Sequence, residues 1–327
     1  MGGAQFESEI REQPAVLARI AASDRMQRLH AAVDDREVVF TGSGSSLFVA
    51  QLAALVWRRA GHRTSAIAAS EARFAGAIDR DCCVVALSQS GRTGDVLDAV
   101  DALRASVTIA LTNDADSPLA ERASVTIDVA AGVERAVPAS KSVIAMAAIL
   151  LGAARDPQAH ASELATTAAA LDAWLDDDAF AALDICAALF EPASSIIVLG
   201  ADYGVPVADE IALKIKEATY RHAEGFGAGE FRHGSTALLD ASRGVIGIVD
   251  GASGAIVGDV LATAAAAQAV TATFGGAVPG APAFGPARGG TFAPLGWIVT
   301  GQLLALALAR RAGIDSDAPR GLRKFLG

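Results

Sequence analysis

The stretch Val84-Val85-Ala86-Leu87-Ser88-Gln89-Ser90-Gly91-Arg92-Thr93 limits most narrowly what this chain can fold into. A short apolar, β-prone run stops in hydroxyl residues, an amide and a glycine, and Asp95-Val96-Leu97-Asp98-Ala99-Val100 then resumes with a helical pattern. The segment reads as strand, loop and helix, with the loop at the strand's carboxyl end. There the N–H groups of the first helical turn, the positive end of the helix dipole and the Ser and Thr hydroxyls meet in a volume that suits an anion such as phosphate. Gly91 lets the backbone approach closely. An ordinary polar turn with an N-cap accounts for this segment alone just as well, so the rest of the chain decides.

The same alternation recurs. A helical pattern from Phe6 to Val33, broken at Pro14, leads into a strand at Glu37–Phe40, the loop Thr41-Gly42-Ser43-Gly44-Ser45-Ser46 and a helix from Leu47 to Arg59. Further strands are expected at Ser65–Ala68, Cys82–Leu87, Val107–Leu111 and Val125–Val129. Strands alternating with helices at this spacing predict a parallel, doubly wound sheet, whose ligands bind outside the carboxyl ends of the strands. After an Ala-rich helical stretch the pattern starts again at Ser195-Ile196-Ile197-Val198-Leu199-Gly200. Laying Val38–Gly42 over Ile196–Gly200 brings Ser46 over Gly204, Val49 over Val207 and Ala50 over Ala208. With one residue of slippage, Ser70–Arg73 falls over Gly229–Arg232.

Two copies of one α/β domain follow from that repeat: N-terminal helices over 1–33, a first domain over 34–155, a helical connection over 156–184, a second domain over 185–314 and a tail over 315–327. The second half is expected to add strands at Gly244–Val249, Ala269–Thr273 and around Gly290–Phe292. A Gly/Pro-rich loop is expected over Gly275–Pro286, and a helix over Leu295–Ala312.

At 327 residues and 52% hydrophobic, the chain is long enough for two buried cores. Its net charge of −10 argues against a general nucleic-acid binder, so an anionic substrate needs a local positive site. Cys82, Cys83 and Cys186 have neither metal-ligand nor disulfide spacing and are expected to be packing residues in a reducing cytoplasm. Met1–Ile10 lacks the apolar core of a signal peptide, and apolar stretches such as Val143–Ala154 are too short to span a bilayer. A cytoplasmic protein with no membrane role is the expectation.

Three polar groups stand out in the second half. Lys214 and Glu217, three apart on one helix, share a face, where the ammonium could hold the carboxylate ionised for proton transfer; a solvated charged face explains them too. His222 and His233 flank what reads as a Gly-rich turn, Gly225–Glu230. Lys324 is by default a solvated tail charge, and becomes chemical if the tail folds over a site, where its amine could form a Schiff base or bind an anion.

Taken together, GSGSS (Gly42–Ser46), SQSGRT (Ser88–Thr93), ALKIKEATYRHAEGFGAGEFRHG (Ala212–Gly234) and PRGLRK (Pro319–Lys324) resemble the sugar isomerase (SIS) domain family. Within that family the likeness is to the isomerase half of glucosamine-6-phosphate synthase and to stand-alone glucosamine-6-phosphate deaminases, and it runs from Glu9 to Lys324. The resemblance implies two tandem flavodoxin-like domains in an αβα sandwich. It assigns Ser46, Ser88, Gln89, Ser90 and Thr93 to a sugar phosphate, and Gly44, Val137 and Ser140 to other substrate contacts. Glu217 matches the base that moves a proton between carbons 1 and 2, with Lys214 beside it; His233 matches the ring-opening acid/base; Lys324 matches the Schiff-base lysine. It implies no metal or organic cofactor, and a homodimer with a shared active site.

Arg92 departs from the family's acidic residue, Ala139 stands where a hydroxyl is usual, and Ser235 replaces a proline. No cysteine lies near Met1, so no glutamine hydrolysis is expected from this chain. The reading that follows is a phosphosugar isomerase or deaminase converting glucosamine 6-phosphate to fructose 6-phosphate and ammonia. The synthase direction, with ammonia from elsewhere or from a separate glutaminase subunit, is the alternative, as is a fructosamine-phosphate deglycase. A non-catalytic phosphosugar sensor is the alternative of another class. A nicotinamide enzyme is disfavoured, because Gly42–Leu47 lacks the third glycine of GxGxxG.

Overall fold

The computed structural model describes residues 2–76, 81–251, 253–287 and 289–324. Residues 325–327 of the expected tail lie outside them. In chain order, α1 (Ala4–Arg11), α2 (Gln13–Ala21) and α3 (Arg25–Val33) precede β1 (Glu37–Gly42), α4 (Ser45–Arg59), β2 (Thr64–Ala68) and α5 (Ala69–Ala72). Then come β3 (Cys82–Ser88), α6 (Gly94–Leu103), β4 (Val107–Thr112), α7 (Pro118–Arg122), β5 (Val125–Asp128), α8 (Lys141–Ala153), α9 (Pro157–Trp174) and α10 (Asp177–Phe190). The second half runs β6 (Ser195–Gly200), α11 (Gly204–Thr219), β7 (His222–Gly227), α12 (Ala228–Phe231), a 3-10 turn (Ser235–Leu238) and β8 (Arg243–Val249). It ends with α13 (Gly254–Ala266), β9 (Val270–Gly275), β10 (Ala283–Phe284) and α14 (Ala293–Arg311).

Each half builds a five-stranded parallel sheet. The first has the order β2-β1-β3-β4-β5, and the second, read from its other edge, β7-β6-β8-β9-β10. The orders correspond strand for strand, so the repeat read in the sequence is a repeat of topology. β3 is buried at every position because helices cover both faces of such a sheet. Val49, Ala50, Val207 and Ala208, paired by the alignment, are all buried. Ser70–Arg73 and Gly229–Arg232 map onto the equivalent four-residue helices α5 and α12 and the residue after each.

Contacts divide the chain into two compact units. The first-sheet unit comprises Glu12–Glu134 and Lys141–Ala169, with Lys324 from the tail; the second-sheet unit comprises Met1–Arg11, Arg135–Ser140 and Ala170–Arg323. In the first-sheet unit α8 is buried all round, and its end carbonyls need partners. Trp57 Nε1 donates to Leu150 O at 2.8 Å, and imidazole nitrogens of His160, His30 and His62 lie 2.9, 2.8 and 3.1 Å from the carbonyls of Gly152, Ala153 and Ala154. A carbonyl only accepts, so each of those nitrogens carries a proton.

Several expectations need correction. The N-terminal region has a further break, at residues 22–24, besides the one before Pro14. The "turn" Gly225–Glu230 is the end of β7 and most of α12; a Cβ on Gly225 would lie 2.5 Å from the backbone N of Asp209, so glycine there lets α11 lie against the strand. The Gly275–Pro286 loop contains the edge strand β10, paired to β9 through Ala283 and Phe284. Gly290–Phe292 is not a strand: it turns into α14, whose start is set by Pro294. α14 also contradicts the expectation that every apolar stretch is too short to span a bilayer, since its 19 residues suffice by length and composition. Of that apolar window 83% is buried, and within its unit the helix packs against α10 and α11.

All three cysteines are free and buried, and burial pushes the thiols of Cys83 and Cys186 up to about 12, as suits packing residues. In the second-sheet unit, Glu7 on α1 joins Arg310 of α14 at 2.5 Å and Arg11 at 3.0 Å. Burial disfavours its charge, but the hydrogen bonds from Arg310 and Arg11 outweigh that and hold its carboxyl below the ordinary 4.5. A lowered folded value means the stabilisation is full above the unfolded carboxyl range and disappears as pH falls through the folded value. Glu7→Gln should therefore cost up to about 1 kcal/mol near neutral pH, with the gap closing on acidification. Urea midpoints measured against pH check this, and a gap independent of pH would contradict it.

Candidate active site

In the first-sheet unit the loops after β1 and β3 leave adjacent parallel strands, at the point where the strand order reverses. The loop after β3 is tied together internally. Ser88 Oγ lies 3.0 Å from Thr93 Oγ1 and accepts from Gly91 N at 3.1 Å, while Ser90 Oγ accepts from Arg92 N at 3.2 Å. Gln89 O accepts from Asn113 N and Thr112 Oγ1 beside β4, and Gly91 O from Leu119 N of α7. Gly91 has φ +61°, and a Cβ there would stand 2.0 Å from Ser117 Oγ. Only glycine fits.

The loop after β1 is shaped by Gly42 and Gly44. Gly44 has φ 55°, and a Cβ on Gly42 would come 2.8 Å from the backbone of Ser46, the residue that opens the second position of α4. Both helix starts, α4 and α6, thus point first-turn N–H groups outward beside half-buried Ser46 and Thr93. Thr41, which the sequence reading passed over, is fully buried, and its Oγ1 has no hydrogen-bond partner among the described residues. Arg92, the departure from the family's acidic residue, pairs with Asp114 at 2.8 Å and so fastens the β3 loop to the one after β4.

Lys324, also in this unit, is an ion-pair partner rather than a solvated charge. Its Nζ lies 2.8 Å from Glu134 Oε2, and the two side chains are 9% and 0% exposed. Glu134 also accepts from Ser142 N and Ser142 Oγ. No local pattern could have found this pair, whose members are 190 positions apart.

In the second-sheet unit the expected face of α11 is real and mostly buried. Lys214, 1% exposed, places Nζ 2.5 Å from Glu217 Oε2 and 3.8 Å from Glu210 Oε1; Glu217 keeps 20% of its side chain exposed. A buried ammonium needs such partners. One turn on, Tyr220 caps α11 in the left-handed conformation, and its hydroxyl accepts from Arg320 N at 2.8 Å while the Arg320 guanidinium sits 4.3 Å over its ring. That contact ties Arg320 of the tail to the end of α11.

Val137 is half-buried and donates its N–H to Asp317 O at 3.1 Å; Ser140 is fully buried. Their segment is held by Glu9, which accepts from the N–H groups of Arg135 and Ala136. His233 is exposed, in the turn after α12, with its N–H on Glu230 O. Among the described residues no group of three or more His, Cys, Asp or Glu is arranged to hold a metal ion.

A family model described as SIS domain matches residues 33–154 and 189–267. A glutamine–fructose-6-phosphate aminotransferase (isomerizing) of Pyrobaculum aerophilum is 31% identical over 341 residues, 97% of this chain and 56% of that protein. The chain spans about half the length of the curated relatives it matches. Among solved structures, the C-terminal domain of glucosamine-fructose-6-phosphate aminotransferase from Francisella tularensis aligns with TM-score 0.84 at 22% identity, over 96% of this chain and 98% of that one. Glucosamine-6-phosphate deaminase from Thermotoga maritima aligns with TM-score 0.80 at 22% identity, over 98% of each chain. At that identity the two structures speak for the fold alone.

The tightest steric demand in these loops is at Gly91. Gly91→Ala should destabilise the first-sheet unit by about 1 to 3 kcal/mol, from the left-handed backbone and the clash with Ser117. Urea unfolding checks it, and an unchanged midpoint would contradict the loop geometry.

Proposed function

The chain belongs to the SIS domain family, and on that premise we propose that it is a phosphosugar isomerase/deaminase acting on glucosamine 6-phosphate. The observation that carries the proposal is the Lys214–Glu217 pair: a carboxylate on an ordered helix, held by a buried ammonium yet still open to solvent. That is what a base for carbon acids requires.

In this reading the β1 and β3 loops take the phosphate through Ser46, Ser88, Gln89, Ser90 and Thr93, using hydroxyls, an amide and helix N-termini. Gly44, Val137 and Ser140 contribute to holding the sugar. His233 opens the ring. Glu217 removes the proton from carbon 2 of the open aldose and returns one to carbon 1, which converts the 2-amino aldose into the imine of the ketose. Lys324 adds to that imine and ammonia leaves, forming a Schiff base that water then hydrolyses, so glucosamine 6-phosphate and water give fructose 6-phosphate and ammonia. Lys324 holds the open-chain ketose as a Schiff base. The family resemblance supports a homodimer with His233 supplied by the partner copy.

A second reading runs the same steps towards amination, as the isomerase part of a glutamine-dependent aminotransferase. The likeness to such enzymes over 97% of this chain supports it. The purified chain should release ammonia and fructose 6-phosphate in equal amounts from glucosamine 6-phosphate. If it makes glucosamine 6-phosphate only from fructose 6-phosphate and ammonium, the second reading replaces the first. If it binds the sugar phosphate and turns over neither way, the chain is a sensor. Glu217→Gln should keep sugar-phosphate binding and lose about two to four orders of magnitude in turnover; unchanged turnover would remove Glu217 from the mechanism.

A further inference from the structure

We propose that Glu134 is the residue that positions Lys324 and exchanges a proton with it during imine formation, an inference that rests on the Schiff-base reading of Lys324. Nothing in the motifs points to Glu134. Its carboxylate is wholly enclosed, and one oxygen, Oε2, is shared by two donors: Lys324 Nζ at 2.8 Å and Ser142 Oγ at 2.7 Å. The other oxygen, Oε1, accepts from the backbone N–H of Ser142 at 3.1 Å, at the first turn of α8. This carboxylate is therefore fixed from the helix side.

An ammonium cannot attack a carbonyl; the amine can. With Nζ and Oε2 already in hydrogen-bond contact, the proton moves from Lys324 to Glu134, leaving a neutral amine and a neutral carboxylic acid. The amine nitrogen then bonds to the ketose carbonyl carbon, the C=O π bond opens, and a proton passes from nitrogen to that oxygen, giving a carbinolamine. Glu134 returns its proton to the departing hydroxyl, water leaves and C=N forms. The product is a protonated imine on Lys324 beside a Glu134 that is again an anion. Ketone and ammonium have become iminium and one water, with charge and atoms conserved. The same carboxylate then stabilises the iminium charge in a site with little water.

The test is borohydride reduction of the wild-type chain with fructose 6-phosphate, followed by peptide mass spectrometry, repeated on Glu134→Gln. Wild type should carry the reduced hexose phosphate on Lys324. Glu134→Gln, which keeps size and loses the base, should be labelled about 100-fold more slowly or worse, while the folded fraction still binds the sugar phosphate by calorimetry. Equal labelling of the two proteins overturns the proposal while leaving the Schiff base intact. No label at Lys324 in an actively turning-over wild type overturns both the Schiff-base reading and this one.

If Glu134→Gln does not fold, Ser142→Ala decides. It removes a donor from Oε2 and should change the labelling rate about threefold or more; a rate identical to wild type counts against the proposal.

Discussion

Each unit depends on how closely the helix after its first strand approaches the end of that strand. Where a side chain at Gly42 would meet the backbone of Ser46, one at Gly200 would meet the backbone of Gly204 at 2.0 Å, so β1 and β6 can turn into α4 and α11 only through glycine. That approach places the helix N-terminus directly over the strand's carboxyl end. It also explains why the two sheets share one strand order, since both are wound from the same first turn. In the first-sheet unit the neighbouring β3 loop has its own glycine constraint at Gly91. Two tight turns side by side gather hydroxyls and helix N-termini at the switch point, which is the arrangement the proposed phosphate site draws on.

Buried ammonium groups set the chemistry that this scaffold can support. Lys214 in one unit and Lys324 and Lys141 in the other are each nearly enclosed, and each is held by a carboxylate within 2.8 Å. Burying an unpaired charge costs several kcal/mol, so these pairs fix where the side chains stand. Their consequences differ with the exposure of the partner. Glu217 stays partly open, whereas Glu134 is fully enclosed. Arg92 shows the same principle at the surface, where Asp114 turns a departure from the family pattern into a brace between two loops.

The sheets were legible in the sequence where a strand is buried on both faces. Val84–Leu87 reads as a continuous apolar run because helices cover both sides, and it ends abruptly because its loop must stay polar. β7 was illegible for a related reason: Gly225 and Gly227 look like turn residues, yet Gly225 is there to admit the backbone of α11. β10 has two residues at a sheet edge, too few for any periodicity. Among the candidate residues, Lys214 and Glu217 could be paired from their helical spacing. Glu134 with Lys324, and Tyr220 with Arg320, could not, because those contacts join positions 190 and 100 apart that no local pattern relates. Thr41 was passed over because a buried β-branched residue in a strand needs no functional explanation until its hydroxyl is found without a partner.

Recognition of phosphate at the switch point of the first sheet is the claim on which the functional account turns. It is tested most directly by titration calorimetry of the wild-type chain and the Ser90→Ala/Thr93→Ala variant with fructose 6-phosphate and with fructose. The account predicts that the phosphate tightens binding to wild type by about 100-fold or more, since charge-assisted hydrogen bonds contribute about 1.5 to 3 kcal/mol each, and that the variant loses most of that difference. Equal affinity of the wild-type chain for the two sugars would contradict it.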